Sequence, residues 1–283
     1  MRRTLATGGA ILVFLVLAGA TYQGVATALE RRQFRHPGRM VDAGGHQLHI
    51  FCTGEGLPTV VLEAGGAGMS AAWGWVQPRV AAVTRVCSYD RAGLGWSEAG
   101  DRPYDPDAVA PSLRALLDHA GERGPIVLAG EGLGAAFATL YASSFGDEVA
   151  ALVLIDPPAT AAPGAMPMAT TRLVNASPWL ARTGVLRATR LLSKSAAGLP
   201  EPSAGALGTF LNRPDHLTRA ARELSRWNET VARAEASPLR ADLPVVRIKA
   251  AGSDTVTFLT DPALAAEAAA AVVRTVNAVR RQR

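Results

Sequence analysis

One short segment constrains the fold of this chain more than any other. Residues 126–142, IVLAGEGLGAAFATLYA, form an apolar run, a cluster of three glycines and a helix-like stretch. Glycine permits a sharp turn and a close approach of neighbouring backbones, so the pattern predicts a strand that turns directly into a helix. The turn contains no serine and reads Gly130-Glu131-Gly132-Leu133-Gly134.

Further strand-like and helix-like runs surround that segment. The runs at 59–63 and 84–89 are continuously apolar, which is typical of strands buried on both faces. Gly44-Gly45 separates two earlier runs and indicates a hairpin. The predicted strands span 39–42, 46–53, 59–63, 84–89, 126–129, 151–155 and 243–252, and the predicted helices span 109–120 and 133–145. This alternation predicts an α/β fold with a mostly parallel sheet and an antiparallel hairpin at its N-terminal end.

The alternation breaks between residues 158 and 241. That region carries amphipathic, basic helical patterns without a strand pattern, which indicates a helical cap inserted into the core. The core is then predicted to comprise residues 39–157 and 242–283, preceded by a basic linker at 29–38. A terminal helix follows the last predicted strand almost at once, so the last strand–helix unit is predicted to be shortened.

The N-terminus has the composition of a membrane or targeting segment. Met1-Arg2-Arg3 precedes an uncharged apolar stretch at 5–20 that has no polar face. Ala18-Gly19-Ala20 fits a signal cleavage site, whereas continuation to Ala28 gives about 24 residues, enough to span a bilayer. Residues 1–28 are therefore predicted to be either a single-pass anchor in the cell membrane or a signal removed on export. Arginines on both sides leave the orientation open.

The net charge of +5 does not indicate a nucleic-acid partner. Lys194 and Lys249 are the only lysines, and the arginines are spread along the chain, denser only at its two ends. Nucleic-acid-binding domains instead cluster positive charge on one face or along one helix. The predicted contact of the basic ends is with solvent or a membrane, and no nucleic acid is predicted as a partner.

The two cysteines leave two interpretations open. Cys52 and Cys87 each lie at the end of a strand-like run, without a CxxC motif or a neighbouring histidine. That spacing does not predict a metal site. If the domain faces an oxidising compartment the two residues form a disulfide, and otherwise they are two small buried apolar side chains.

The glycine cluster also admits a dinucleotide-binding interpretation. Gly130 and Gly132 end a strand and open a helix, Ala135 stands in place of a third glycine, and Asp156 ends the next strand. In that motif the glycines seat a pyrophosphate and the acid binds a ribose. Such folds normally begin with this unit, whereas four predicted strands precede it here. Dinucleotide binding is therefore a minor alternative, and no cofactor is predicted.

Five segments between Gly45 and Pro157 form a recognisable pattern. They are GGHQLHIFCTGEG, TVVLEAGGAG, TRVCSYDRAGLGWS, VLAGEGLGAAFATLYA and DEVAALVLIDP. In order and spacing they resemble the α/β-hydrolase superfamily, and in particular bacterial serine hydrolases with an N-terminal membrane segment. The resemblance implies that residues 130–134 form a nucleophile elbow, with the backbone N–H groups of Gly66 and Leu133 as the oxyanion hole. Asp90 and Arg91 are expected to hold a loop in place.

The chain departs from that family at every catalytic position. Relatives carry G-H-S-x-G at the elbow, whereas here Glu131 replaces the histidine and Gly132 replaces the nucleophilic serine. Glycine has no side chain that could attack a substrate. The resemblance places Thr255 where the catalytic histidine belongs, and it leaves Asp156 as a possible acid because the usual acid-bearing unit is missing. The triad is therefore predicted to be degenerate.

These losses favour a pseudoenzyme descended from an ester- or lipid-type serine hydrolase. It would bind a ligand or associate with a membrane. Apolar residues of the cap suggest a hydrophobic small molecule beneath it, or a bilayer surface; they are Trp179, Leu180, Val185, Leu186, Leu191 and Leu192.

The main alternative is an active hydrolase with a displaced nucleophile. Ser70, Ser97 and Ser253 are loop serines near the expected cleft, although none lies in a motif with a base. His119 and His216 fall in helix-like stretches and are expected at the surface. Glu131 is a candidate general base for a non-hydrolytic reaction if burial raises its pKa.

Overall fold

Seven strands form one sheet in the computed structural model, which describes residues 2–101, 103–158, 168–249 and 259–282. The strands are β1 Arg39–Asp42, β2 Gln47–Thr53, β3 Val60–Glu63, β4 Val86–Tyr89, β5 Ile126–Glu131, β6 Val149–Ile155 and β7 Val245–Ile248. Their order across the sheet is β1-β2-β4-β3-β5-β6-β7. The β1–β2 and β2–β4 pairs are antiparallel and the others parallel. The predicted α/β fold, with a mostly parallel sheet and an N-terminal hairpin, is confirmed.

Ten α-helices accompany the sheet in the described ranges. They are α1 Arg2–Gln33, α2 Gln77–Ala81, α3 Val109–Ala120, α4 Leu133–Ser144, α5 Met168–Arg182, α6 Val185–Thr189, α7 Ser203–Phe210, α8 Pro214–Ser225, α9 Trp227–Ala236 and α10 Pro262–Gln282. Helices α5 to α9 all lie between β6 and β7, so the chain returns to the sheet only after five helices. We call these five helices the cap helices. The predicted domain boundaries at 158 and 241 stay predictions, since residues 159–167 lie outside the described ranges.

Alternate residues of the central strands belong to two separate hydrophobic clusters. On β3, Val60 and Leu62 pack on the same side as Val272 of α10, whereas Val61 packs on the opposite side with Leu113 of α3. This period of two is the consequence of strand geometry, in which successive side chains point to opposite faces. Helices on both faces therefore bury the parallel strands, and the carboxyl ends of β3, β4, β5 and β6 are left to build a site.

Helix α1 contains one segment, Thr7–Gln33, that is long and apolar enough to cross a membrane, and an 18-residue stretch within it has a mean hydropathy of 1.8. A signal sequence near the N-terminus has the same length and composition. The side chains of Val13, Phe14 and Leu17 are exposed in the absence of a bilayer.

The C-terminal half of α1 is tied to the cap helices by polar contacts. Gln23 is buried and donates from its amide to the Asn212 carbonyl oxygen at 2.8 Å. The Arg187 guanidinium donates to the Gln23 side-chain oxygen at 2.9 Å and forms an ion pair with Glu30. These buried partners fix residues 23–30 of α1 against the protein.

Candidate functional site

The turn between β5 and α4 is sharp, and each of its three glycines has either an unusual backbone conformation or a close backbone contact. Gly132 has φ 54° and ψ −123°, a conformation that side-chain-bearing residues rarely adopt. A Cβ on Gly134 would lie 2.3 Å from the Glu63 carbonyl oxygen, and one on Gly130 would lie 2.3 Å from the Gly134 carbonyl oxygen. The strand, the helix and the end of β3 therefore approach one another closely. The sharp turn is present in full, and only the side chain at its tip is missing.

Space for a side chain nevertheless exists at the tip of the turn. A Cβ built on Gly132 would meet no atom within 4 Å beyond its chain neighbours. The Gly132 N–H donates to the Ile155 carbonyl oxygen at 2.9 Å, which ties the turn to the end of β6. The nucleophile is therefore absent because the sequence has a glycine at this position, and not because neighbouring atoms leave no room for a side chain.

Gly66 and Leu133, the residues implied as an oxyanion hole, lie side by side. A Cβ on Gly66 would be 3.6 Å from the Leu133 side chain. Leu133 begins α4, so its N–H has no partner within the helix. Leu224 and Trp227 of the cap helices lie over Gly66, 2.8 and 3.5 Å from the same Cβ position. The site is thus covered by apolar cap side chains.

A buried arginine joins the cap helices to the loop of the candidate site. The Arg91 guanidinium donates to both oxygens of Glu223 on α8, at 3.0 and 2.9 Å. It also donates to the carbonyl oxygens of Ala64 and Gly65 and forms an ion pair with Glu63. All five N–H groups of the guanidinium are thereby used. Arg91, expected to hold a loop, holds the 64–65 loop and a cap helix together.

Glu131 is a titratable residue that directly precedes Gly132 in the turn. Its side chain is partly buried, and its pKa is raised to about 7. Burial is the largest cause of this rise and the negative charge of Asp156 adds to it, whereas Arg91 and the Gly65 N–H oppose it. A carboxyl group with such a pKa can exchange a proton near neutral pH.

We expect the Glu131→Gln substitution to stabilise the protein at pH 8 and to leave stability unchanged at pH 4. The folded-state pKa of about 7 lies above the ordinary value of 4.5, so ionisation opposes folding as the pH rises between these values. The full effect is up to about 3 kcal/mol. Urea unfolding at both pH values measures it. Glu267→Gln, an exposed carboxyl on α10, is the matched control and should show no such pH dependence.

Asp156, the possible acid, lies at the end of β6 in a strained backbone conformation. Its φ is 45°, which is unusual for a residue other than glycine, and its N–H donates to the Ile248 carbonyl oxygen at 2.7 Å. Burial raises its pKa, and the charge of Lys249 opposes that shift. Within the described ranges no hydrogen bond joins Asp156 to a histidine. Thr255, the implied position of the lost histidine, lies outside those ranges.

Two of the candidate displaced nucleophiles meet in a buried cluster with a histidine. The Ser70 hydroxyl lies 3.3 Å from His49 Nδ1, and the Asp90 carboxylate lies 3.0 Å from the same nitrogen. The Ser97 hydroxyl donates to the Asp90 carbonyl oxygen at 2.6 Å. In a catalytic triad the acid and the nucleophile occupy different ring nitrogens. Here both share Nδ1, while the buried Nε2 has no partner among the described residues.

Asp90 organises this cluster and the loops around it. Its carboxylate accepts from the Ser70 N–H at 2.6 Å and from the Trp96 N–H at 2.9 Å. Burial alone raises the pKa of Asp90, but the hydrogen bonds and the neighbouring His49 lower it below its ordinary value. Sequence reasoning missed the contact between Ser70 and His49, because residues 21 positions apart meet only once the strands pair. The third candidate, Ser253, lies outside the described ranges.

The expectation that His216 lies at the surface is wrong. It is 1% exposed on α8, accepts from the Gly95 N–H at 3.0 Å, and its Nε2 lies 3.0 Å from the Ala67 carbonyl oxygen. Burial lowers its pKa. Each ring nitrogen is thus taken up by backbone, so His216 joins α8 to two loops. His119 is exposed, as expected.

The two cysteines are joined in the structure. Cys52 of β2 and Cys87 of β4 are directly paired across the antiparallel strands, and their sulfurs form a disulfide. A carboxylate oxygen of Glu122 lies within 4.8 Å of both sulfurs, a spacing that would suit a metal ion. Metal binding needs free thiolates, however, and Arg85 holds the Glu122 carboxylate in an ion pair.

Comparisons with known proteins agree with this architecture. The family model for the alpha/beta hydrolase fold matches residues 58–236. A 2-hydroxy-6-oxo-2,4-heptadienoate hydrolase of Pseudomonas putida is 32% identical over 124 residues, which are 42% of this chain and 44% of that protein. An uncharacterised vacuolar membrane protein of Saccharomyces cerevisiae is 30% identical over 129 residues, 39% of this chain and 20% of that protein. The chain spans 15–20% of the length of the first curated relatives it matches.

Solved structures show the same fold at low sequence identity. The Cif epoxide hydrolase of Acinetobacter nosocomialis superposes with a TM-score of 0.64 at 14% identity, over 81% of this chain and 80% of that one. An esterase from Thermogutta terrifontis superposes with a TM-score of 0.56 at 21% identity, over 82% of each chain. At these identities the likeness concerns the fold alone.

Proposed function

The chain belongs to the α/β-hydrolase fold family, and we propose that within this family it is a membrane-associated binding protein without hydrolase activity. Gly132 carries the proposal: the turn keeps the backbone that presents a nucleophile, but its tip has no side chain. Losing one member of a catalytic triad lowers the rate by about 10⁴–10⁶-fold. Losing the nucleophile removes the covalent mechanism itself.

The cap contacts support binding over turnover. Arg91 and Glu223 join α8 to the 64–65 loop through a buried ion pair, and Leu224 and Trp227 cover Gly66. A hydrolase must admit its substrate to this position and release product from it. A cap held closed by a buried ion pair opposes both steps.

Membrane association rests on α1. Its Thr7–Gln33 segment is long and apolar enough to span a bilayer. The exposed cap residues Trp179, Val185 and Leu191 supply an apolar surface next to it, because Gly19 of α1 packs against Thr183 on the same part of the cap. Tryptophan is enriched at membrane–water interfaces. We therefore place the protein at the cell membrane, anchored by α1.

Fluorophosphonate labelling of the purified full-length chain tests the absence of hydrolase activity. We expect no covalent adduct in intact-mass spectra and no turnover of p-nitrophenyl butyrate above the buffer rate. The Gly132→Ser variant restores a hydroxyl without a base, so its turnover is also expected to stay at that rate.

An adduct mapped to Ser70 or Ser97 would overturn the proposal and favour a hydrolase with a displaced nucleophile. The contact between Ser70 and His49 is the observation that makes this alternative worth testing. Ser70→Ala, compared with Ser225→Ala on the exposed side of α8, then identifies the labelled hydroxyl. The dinucleotide interpretation receives no such support, because the family match includes the glycine cluster.

A further inference from the structure

A second cavity lies outside the turn at residues 130–134, and Ser70 of the His49–Asp90 cluster is one of its walls. It has a volume of about 770 Å³ and lies between the end of α1, strand β2, helix α2 and the start of α7. Its larger apolar walls are Phe34, Phe51, Trp73, Pro78 and Trp96. Residues 130–134 and Gly66 are not among its walls. Volumes of about 300–1,000 Å³ are typical of pockets for small-molecule ligands.

Several polar groups of the cavity walls are already bonded to the protein, whereas the buried Trp73 indole N–H has no hydrogen-bond partner among the described residues. The Gln77 amide donates to the Phe51 carbonyl oxygen at 2.9 Å, and its oxygen accepts from the Ser88 hydroxyl at 2.7 Å. The Trp96 indole N–H donates to the Phe34 carbonyl oxygen at 3.0 Å. A ligand in this part of the cavity therefore meets mainly carbon, which favours a hydrocarbon chain.

Two positive charges stand at one side of the cavity. Arg32 and Arg35 are both exposed wall residues, and neither guanidinium has an ion-pair partner in the described part of the chain. The wall also contains Glu201, whose carboxylate accepts from the Gly205 N–H at 3.2 Å. The excess of positive charge favours an anionic group at this end of a ligand.

The position of the cavity connects it with the membrane segment. Arg32 and Gln33 are the last residues of α1 and also walls of the cavity, so the cavity lies where the Thr7–Gln33 span ends. Buried contacts hold residues 23–30 against the protein, so a bilayer can surround α1 only before them, and the cavity lies about 15 Å further along the helix. A molecule with an apolar chain that enters the cavity can keep its charged end at the arginines.

We propose that this cavity binds one hydrocarbon chain of an anionic lipid, with the chain among Phe51, Trp73 and Trp96 and the anionic group at Arg32 and Arg35. The inference rests on the proposed function, since it names the class of ligand that the non-hydrolytic protein binds. A free fatty acid and an anionic phospholipid share this chemistry.

Photo-crosslinking of the full-length chain in nanodiscs tests the assignment. The probe is a palmitate analogue with a diazirine on its chain, and the labelled peptides are identified by mass spectrometry. We expect labels within residues 70–81 and 200–206. If palmitate reduces the labelling and dipalmitoyl phosphatidylglycerol does not, the cavity is a fatty-acid site. If only dipalmitoyl phosphatidylglycerol reduces the labelling, the cavity is a phospholipid site. Hexadecanol, which has no charge, should compete about tenfold more weakly than palmitate.

Two sets of variants make the test specific. Ala81→Phe places a ring at a wall residue and should reduce labelling more than about tenfold, whereas Ala82→Phe, the exposed neighbour outside the walls, should not. Arg32→Glu with Arg35→Glu should weaken competition by palmitate about tenfold and competition by hexadecanol little. Arg123→Glu with Arg281→Glu changes the net charge equally, away from the cavity. The charge variants keep the test decisive if Ala81→Phe does not fold.

Equal labelling of Ala81→Phe and Ala82→Phe, or labels only outside the stated peptides, would overturn the assignment. The same preparation is treated with fluorophosphonate. A fluorophosphonate adduct on the protein overturns the proposed absence of hydrolase activity, whatever the photo-crosslinking at the cavity shows. Because palmitate contains no ester bond, its binding does not depend on hydrolysis, and the two failures are distinguishable.

Discussion

Replacing Glu223 by alanine is expected to lower the free energy of unfolding by about 3–5 kcal/mol. Its carboxylate is fully buried and accepts two hydrogen bonds from Arg91, which is itself 3% exposed. Without Glu223 the guanidinium keeps its contact with Glu63 but loses two of its hydrogen bonds in a site closed to water. We therefore expect a value near the lower end of the range.

The matched control is Glu229→Ala on the neighbouring helix α9. Glu229 also pairs with two arginines, Arg226 and Arg233, but these side chains are exposed. Exposed pairs contribute about 0.2–1 kcal/mol, so this variant should lose no more than that. Urea unfolding at pH 7 measures both. Equal losses in the two variants would show that burial of the Arg91–Glu223 pair does not hold the cap helices to the sheet.

The pH dependence of this contribution follows from the pKa of Glu223. Burial by itself raises that pKa, but the charges of Arg91 and Arg219 outweigh burial and hold it below the ordinary value of 4.5. The stabilisation is therefore present above pH 4.5 and is lost as the pH falls through the folded-state pKa. The Glu223→Ala variant should accordingly approach the wild-type stability in acid.

The elements that depend on local pattern were predictable from the sequence. The strand at 126–129 and the helix beginning at Leu133 follow from an apolar run and glycines, and the structure has Ile126–Glu131 and Leu133–Ser144. The hairpin follows from Gly44-Gly45, whose φ angles are 98° and 101°. Such angles are strongly disfavoured for residues other than glycine, so the two glycines by themselves indicate a turn at this position. Most strand ends differ by one or two residues, and the last strand ends at Ile248 where the prediction ran to 252, because loop contacts decide where pairing stops.

The buried polar contacts were not predictable, because they join distant parts of the chain. Arg91 and Glu223 are 132 residues apart, and their charges predict solvent exposure when each is read alone. Helix α8 does carry a usable signal. His216, Ala220 and Glu223 recur at spacings of four and three and form one buried face. A search for apolar residues alone misses that face, because His216 and Glu223 are polar.

Removal of the Cys52–Cys87 disulfide is expected to lower the free energy of unfolding by about 3–4 kcal/mol. The two residues are 35 positions apart, and an open loop of that length gains conformational entropy in the unfolded chain. Reduction of the wild-type protein with a phosphine isolates this effect, because the thiols keep nearly the same volume. The Cys52→Ala/Cys87→Ala variant should be insensitive to the reductant. An unchanged stability on reduction would contradict the expected entropy effect.

The same bond provides a measurement of where the domain resides. Disulfides persist in oxidising compartments and are rare in the cytosol. Alkylation of the protein directly in cells, followed by mass spectrometry, reports whether Cys52 and Cys87 are free. If α1 anchors the chain with its C-terminal domain outside the cytosol, we expect both to be protected from alkylation. Free thiols in cells, together with a disulfide in the purified protein, would place the domain on the cytosolic side. The sequence could not settle this orientation, because arginines flank the apolar stretch at both ends.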